Sequence, residues 1–71
     1  MDKKIVKSVD MFRGPIGAYG FRSGYWTATC TDESKFRFFC SIPHIDGLNE
    51  ERCIEVAQRA IDQNNPNVQW L

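Results

Sequence analysis

Two alternating runs in the middle of the chain constrain its fold more than any other feature. In the stretch GYWTATCTDESKFRFFCSIP, residues 24–43, the runs 25–31 and 35–42 are rich in aromatic and β-branched residues whose side chains alternate between two faces. Such alternation is typical of β-strands. The polar TDES between the runs suits a tight turn. These residues therefore predict an antiparallel pair of strands.

The segment before these runs is rich in chain-breaking residues. Four Gly or Pro residues lie within residues 14–20, which predicts a loop or a glycine-broken edge strand. A first strand is then expected through residues 19–22, with Ser23-Gly24 as the tight turn into the next strand.

For the first dozen residues two states fit the sequence. The spacing of Ile5, Val6, Val9 and Phe12 is close to that of a short helix, whereas the letters KIVKSV also suit a strand. Both states stay open on the sequence alone.

A helix is predicted after the last strand. Pro43 cannot donate a ladder hydrogen bond and ends that strand, which leaves HIDGLN as a connection. Asn49 is a suitable N-cap, and the two glutamates after it favour the positive first turn of a helix over residues 50–63. The apolar residues that recur there at helical spacing are Cys53, Ile54, Ala57, Ala60 and Ile61. Asn-Asn-Pro at 64–66 ends the helix.

Three antiparallel strands followed by one amphipathic helix pack most economically with the helix across one face of the sheet, because both apolar surfaces are then buried. The expected fold class is α+β, a βββα arrangement of a three-stranded antiparallel sheet on one C-terminal helix. With 71 residues the chain is expected to form a single small domain, 1–71. Its parts are the N-terminal segment and glycine-rich loop at 1–18, the βββα core at 19–63 and the C-terminal tail at 64–71.

The two faces of the predicted sheet differ in composition. The face expected under the helix carries the larger apolar residues, Trp26, Ala28, Cys30, Phe36, Phe38, Cys40 and Ile42. The opposite face, called the open face below, carries Tyr25, Thr27, Thr29, Arg37, Phe39 and Ser41, with Arg22 nearby. The ring of Phe39 on this face needs an explanation. Either it meets a binding partner, or residues 1–12 or the Trp70-Leu71 tail cover it.

Charges are unevenly distributed along the chain, although the net charge is zero. Residues 1–44 contain seven Lys and Arg against four Asp and Glu, a balance of +3, and residues 45–71 contain two against five, a balance of −3. Because the acidic residues concentrate in the helix, the open face is expected on the positive side of the molecule. A neutral total is nevertheless unlike the basic surface of strong nucleic-acid binders.

The sequence contains no catalytic, metal or cofactor motif that we recognise. His44 is the single histidine. Cys40 is expected on the face of the sheet that the helix covers, where a nucleophile would not reach a substrate. Cys30, Cys40 and Cys53 lack a CxxC pair, so neither a disulfide framework nor a zinc site with His44 is expected. The glycine-rich segment matches no phosphate-binding loop. We therefore expect a protein that is not an enzyme and that uses no cofactor, metal or small-molecule substrate.

Membrane and export signals are also missing from the sequence. It has no run of about 18 apolar residues for a membrane span, and no apolar segment follows the MDKK start as in an export signal. The expectation is a cytoplasmic protein with reduced cysteines and no membrane partner.

Three segments resemble a family of DNA-binding domains. The segments GFRSGYWTATC, RFFCS and NEERCIEVAQRA are similar to the three-stranded sheet and helix of the plant ethylene-response-factor domain and of the arm-site DNA-binding domains of tyrosine integrases. The positions that match the pattern of that family are Gly20, Arg22, Gly24, Trp26, Ala28, Arg37, Phe39, Glu50, Glu51, Ala57 and Ala60. The resemblance covers residues 19–62.

This resemblance implies that the sheet enters the major groove of duplex DNA. The implied contact residues are Arg22, Tyr25, Thr27, Thr29, Arg37 and Phe39. A β-ribbon fits the groove, arginine can bind guanine edges or phosphates, and Thr methyls and aromatic rings can meet thymine methyls or sugars. The first functional hypothesis is thus a small DNA-binding accessory factor of the kind that phages and mobile elements encode.

The same residues also suit protein recognition. An exposed patch of Tyr, Phe and Arg has the usual composition of a protein-interface hot spot. The alternative is therefore an inhibitor or adaptor, such as a phage anti-defence protein, that docks on a host enzyme through this patch or through the acidic helix with Glu51, Glu55 and Asp62 outward. Salt separates the two hypotheses, because groove binding weakens steeply as the salt concentration rises.

Overall fold

Four strands and two helices follow one another in the described part of the chain. The computed structural model describes residues 3–10, 17 and 20–71. The elements are β1 (Val6–Asp10), β2 (Phe21–Cys30), β3 (Lys35–Pro43), α1 (His44–Gly47), α2 (Glu50–Asp62) and β4 (Gln69–Trp70). The predicted helix therefore ends one residue earlier than expected, and the connection after Pro43 contains a single helical turn.

The strands form one antiparallel sheet in the order β1-β2-β3-β4. This confirms the α+β class with a C-terminal helix. The sheet has one strand more than predicted, because segments from both ends of the described chain join its edges. At one edge β1 pairs with β2, and at the other the two-residue β4 pairs with the start of β3.

The predicted turn at Ser23-Gly24 is wrong. β2 continues through both residues, which pair with Ser41 and Cys40 of β3. Because β3 is nine residues long, it offers a ladder partner to every residue of β2 from Phe21 to Thr29, and this long-range pairing outweighs the local turn preference of Ser-Gly. The left-handed backbone lies earlier, at Gly20, where φ is +76°.

The strand predicted through residues 19–22 is likewise different in the structure. Phe21 and Arg22 belong to the start of β2, and Tyr19 lies outside the described residues, as does Phe12. The first strand of the sheet is β1, in the segment for which helix and strand both fitted the sequence.

A β-bulge explains why the spacing in β1 resembles that of a helix. Val6 pairs with Cys30 and Val9 with Ala28, and the register shifts between Val6 and Ser8. A bulge adds one residue to a strand, so two valines three positions apart both face the helix side. A hydrogen bond links α2 to β1, because Gln58 Oε1 accepts from the Val6 N–H at 2.8 Å.

The core lies between the sheet and α2. Its buried residues are Val6, Trp26, Ala28, Cys30, Phe36, Phe38, Ile42, Cys53, Ala57 and Ala60. The predicted helix-side residues are thus confirmed, except that Cys40, Ile54 and Ile61 are only half-buried. The rings of Trp26 and Phe38 meet edge to face with centroids 5.9 Å apart, a favourable aromatic geometry.

The predicted N-cap of α2 is present. The side chain of Asn49 accepts a hydrogen bond from the Arg52 backbone N–H at 3.1 Å, which satisfies one of the unpaired donors of the first turn. No helix in the described part of the chain is long and apolar enough to cross a membrane.

Candidate functional site: the open face of the sheet

No described residue covers the face of the sheet opposite α2. Residues 3–10 contribute an edge strand, and the C-terminal tail contributes β4 at the other edge, so neither segment lies over the face of the sheet. Phe39 is 45% exposed and Tyr25 is 55% exposed. The alternative in which residues 1–12 or the tail bury Phe39 thus does not hold for their described part.

Three side chains form a cluster at the centre of this face, which we call the aromatic–arginine cluster: Tyr25, Arg37 and Phe39. Tyr25 and Phe39 are cross-strand partners, and their rings meet edge to face with centroids 5.5 Å apart. The guanidinium carbon of Arg37 lies 5.0 Å from the centroid of the Tyr25 ring, within cation–π range. Arg37 Nη2 also donates to Gln69 Oε1 of β4 at 3.3 Å. The cluster is therefore held by contacts across three strands.

The remaining predicted residues on the open face extend this surface in both directions. Thr27 and Thr29 are half-buried and pair with Arg37 and Lys35. On the other side of the cluster, the hydroxyls of Ser23 and Ser41 lie 2.8 Å apart. Tyr25, Thr27, Thr29, Arg37 and Phe39 thus share one face, as predicted from their parity.

Arg22 is not on that face. It pairs with the buried Ile42, and its Nε donates to His44 Nδ1 at 2.8 Å, so its side chain lies on the helix side beside α1. The cause is the continuity of β2, because Arg22 and Trp26 are four residues apart on one strand and must point to the same side. The assignment of Arg22 to the open-face site is therefore corrected.

The charge on the open face is small. The charged residues that the register places on it are Lys35 and Arg37, with Asp10 opposite Thr27 on the edge strand. Lys7, the extra residue of the bulge, is paired with Glu33 at 2.7 Å. Two cations against one carboxylate leave a weakly positive surface.

Ion pairs neutralise part of the acidic surface of α2. Glu55 accepts from Arg52 at 2.9 Å and from Arg59 at 3.3 Å, and Asp62 lies 3.2 Å from Lys3. Of the three acidic residues expected to face outward, Glu51 carries no ion pair among the described residues. Docking through the acidic helix would therefore rely on Glu50 and Glu51 of its first turn, which form no ion pair among the described residues.

The cysteines are poorly placed for chemistry. Burial, with a smaller contribution from Cys53, raises the pKa of Cys40 to about 11, and burial also raises the pKa of Cys53. A thiol with a raised pKa stays protonated near neutrality and is a weak nucleophile. Among the described residues no group of three His, Cys, Asp or Glu side chains is arranged to hold a metal ion.

Comparison with known proteins adds no relative. No protein-family model, no curated protein and no solved structure matches this chain. The resemblance to the ethylene-response-factor and integrase domains therefore stays a prediction.

Two neighbours of the cluster were missing from the predicted site. Lys35 has the same parity as Arg37 in one strand, so the alternation already contained the signal for it. Gln69 had no such signal, because a two-residue strand shows no periodicity and its position depends on the path of the tail after α2.

Proposed function

We propose that this protein is a non-enzymatic binding module that docks on another protein through the aromatic–arginine cluster of its open face. The observation that carries the proposal is the association of Tyr25, Arg37 and Phe39 on the uncovered side of paired strands. Tyr and Arg are enriched among interface residues that dominate binding energy. Side chains held by cross-strand contacts lose less entropy on binding than free ones.

The weak charge of the face favours a protein partner over duplex DNA. Lys35 and Arg37 could neutralise two phosphates, which corresponds to a loss of only about tenfold in affinity between about 50 and 200 mM salt. Proteins that make six to ten phosphate contacts lose about 10³- to 10⁵-fold over that range. Because Arg22 lies on the other side of the sheet, the described open face keeps only Arg37 of the two arginines that the DNA hypothesis used.

The side chains of the open face also indicate which groups the surface of the partner should carry. Phe39 and Tyr25 need an apolar surface, and Arg37 needs a carboxylate or backbone carbonyl beside it, since its guanidinium carries several donors. We propose an inhibitor or adaptor that acts in the cytoplasm, where its three cysteines, none of which forms a disulfide, would stay reduced.

Duplex DNA is the second candidate. It is favoured by one observation, the row of Thr27, Thr29, Lys35 and Arg37 on two paired strands, because a β-ribbon with such side chains can read the major groove.

The test compares open-face variants with a variant on the helix. Arg37→Ala and Phe39→Ala remove cluster residues that are exposed, so we expect the free energy of unfolding to change by less than about 1 kcal/mol. Glu51→Ala, on the outer surface of α2, is the control. Partners captured by the wild-type protein are purified, and their affinity for each variant is measured by titration.

A protein partner whose affinity falls at least about tenfold with Phe39→Ala and Arg37→Ala, but not with Glu51→Ala, supports the proposal. A parallel titration uses duplex DNA at about 50 and 200 mM salt. Tight, salt-sensitive DNA binding that is lost with Arg37→Ala would replace the first candidate by the second. If Phe39→Ala unfolds the chain, the open face is core and both assignments fail.

A further inference from the structure

We propose that a second copy of this chain pairs with the free edge of β3, to form a two-fold symmetric antiparallel dimer. β4 pairs only with Phe36 and Arg37 of β3. Beyond these residues, from 38 to 43, no strand in the described part of the chain pairs with β3 on the side away from β2. More than half of this strand is therefore an open sheet edge.

The backbone groups that point out of this edge can be assigned from β4. The Leu71 N–H donates to the Lys35 carbonyl oxygen at 2.9 Å, so the residues of odd number in β3 direct their N–H and C=O groups away from β2. Along the free edge these residues are Phe39, Ser41 and Pro43. Phe39 and Ser41 each offer a donor and an acceptor. Pro43 has no N–H, and its carbonyl oxygen, at the N-cap of α1, accepts the first bond of that helical turn and has one lone pair left for a partner.

The free edge lacks the features by which edge strands usually avoid pairing. These features are charged side chains, a proline within the strand, a bulge, or a covering element. Residues 38–43 read FFCSIP and contain no charge. The register with β2 is regular throughout them, and the proline stands at the end of the strand.

A second copy suits this edge because the edge is self-complementary when the two-fold axis passes through Ser41. Ser41 then faces Ser41 of the second copy, and Phe39 faces its Pro43. Two N–H···O bonds form between the two Ser41 residues, and at each end of the pairing the Phe39 N–H of one copy can share the Pro43 carbonyl oxygen of the other. An axis at Phe39 or Cys40 would instead bring the second strand onto Arg37, where Gln69 already pairs.

Side chains and charge favour the same arrangement. Phe39 and Pro43 are both exposed on the open face, so the phenyl and pyrrolidine rings of the two copies would meet across the two-fold axis. The net charge of zero removes long-range repulsion between copies. The dimer would join two open faces into one continuous surface.

The test measures self-association of the full chain by sedimentation over a wide range of protein concentration. We expect wild type to form a dimer. Ser41→Pro should weaken the dimer at least about tenfold, because each copy loses an outward N–H that makes no bond within the sheet. Ser41→Thr keeps this N–H and is the matched control, expected to dimerise like wild type.

Hydrogen exchange of the wild-type protein supplies a second readout that needs no variant. The amides of Phe39 and Ser41 should gain protection as the protein concentration rises, whereas those of Phe38 and Cys40, which face β2, should be protected throughout. A protein that stays monomeric at all concentrations overturns the proposal. So does a dimer that Ser41→Pro leaves intact, or one in which the Phe39 and Ser41 amides gain no protection; if Ser41→Pro does not fold, the exchange result decides.

Discussion

Trp26 and Tyr25 are adjacent in sequence and have opposite roles, because successive side chains of a strand point to opposite faces. Trp26 is 1% exposed and contacts Phe38 in the core, whereas Tyr25 belongs to the open face. We expect Trp26→Ala to lower the free energy of unfolding by about 3–5 kcal/mol. That is a large part of the stability of a domain of this size, so the variant should unfold at a much lower urea concentration or lose its cooperative transition.

The control for this substitution is Tyr25→Ala, one residue away on the same strand. It removes a ring that is already half in solvent, and we expect its urea midpoint to stay close to that of wild type. Equal destabilisation by the two substitutions, measured by far-UV circular dichroism, would mean that both faces of the sheet are core.

At the scale of elements, α2 depends on its first turn. Asn49 supplies the side-chain acceptor for the Arg52 N–H, and we expect Asn49→Ala to lower the free energy of unfolding by about 1 kcal/mol. Asn49→Asp keeps an acceptor at the N-cap and should retain most of this stability. Urea denaturation of the three proteins checks the expectation, and an alanine variant as stable as the aspartate variant would contradict it.

Which face of the sheet a side chain occupies depends on strand pairing as well as on the sequence of the strand. In β1 a bulge brings Val6 and Val9 to the same side, which simple alternation would not allow. In β2 the continuous pairing with β3 extends the alternation of side chains back to Arg22, so Arg22 points to the same side of the sheet as Trp26. Each of these features is set by the partner strand, so it could not be deduced from the element alone.

At the scale of the whole molecule, ion pairs attach the N-terminal segment to distant parts of the chain. Lys4 Nζ lies 2.6 Å from Asp32, Lys7 Nζ lies 2.7 Å from Glu33 and Lys3 Nζ lies 3.2 Å from Asp62. Hydrogen bonds from Lys4 and Ser34 lower the pKa of Asp32, that from Lys7 lowers the pKa of Glu33, and those from Gln58 and Lys3 lower the pKa of Asp62.

Acid should therefore weaken the fold. Carboxyls with a depressed folded-state pKa contribute stability that is complete above their ordinary pKa, 3.8 for Asp and 4.5 for Glu, and that is lost as the pH falls through the lowered values. We expect the urea midpoint to decline below about pH 4, modestly because all three pairs are exposed. The double variant Lys4→Gln, Lys7→Gln should show a shallower decline, and an unchanged slope would contradict the assignment.

Much of the molecule was accessible from the sequence. The alternation of residues 25–31 and 35–42 predicted which side chains face the helix and placed Phe39 on the opposite face, whereas the exposure of Phe39 depended on the position of the two terminal segments. Asn49 and the spacing of Cys53, Ala57 and Ala60 predicted the helix and the face it buries. These inferences succeeded because each depends on neighbours within one strand or one helical turn.

The local pattern by itself determined a hairpin with one apolar and one mixed face, a helix to cover the apolar face, and the position of Tyr25, Arg37 and Phe39 on the other. Only the tertiary structure decided that Ser23-Gly24 is extended rather than a turn, that Arg22 belongs to the helix side, and that Gln69 reaches Arg37. The physical reason is that strand pairing joins residues far apart in the chain, so the partner strand decides where a strand continues, where it bulges and which edge stays open.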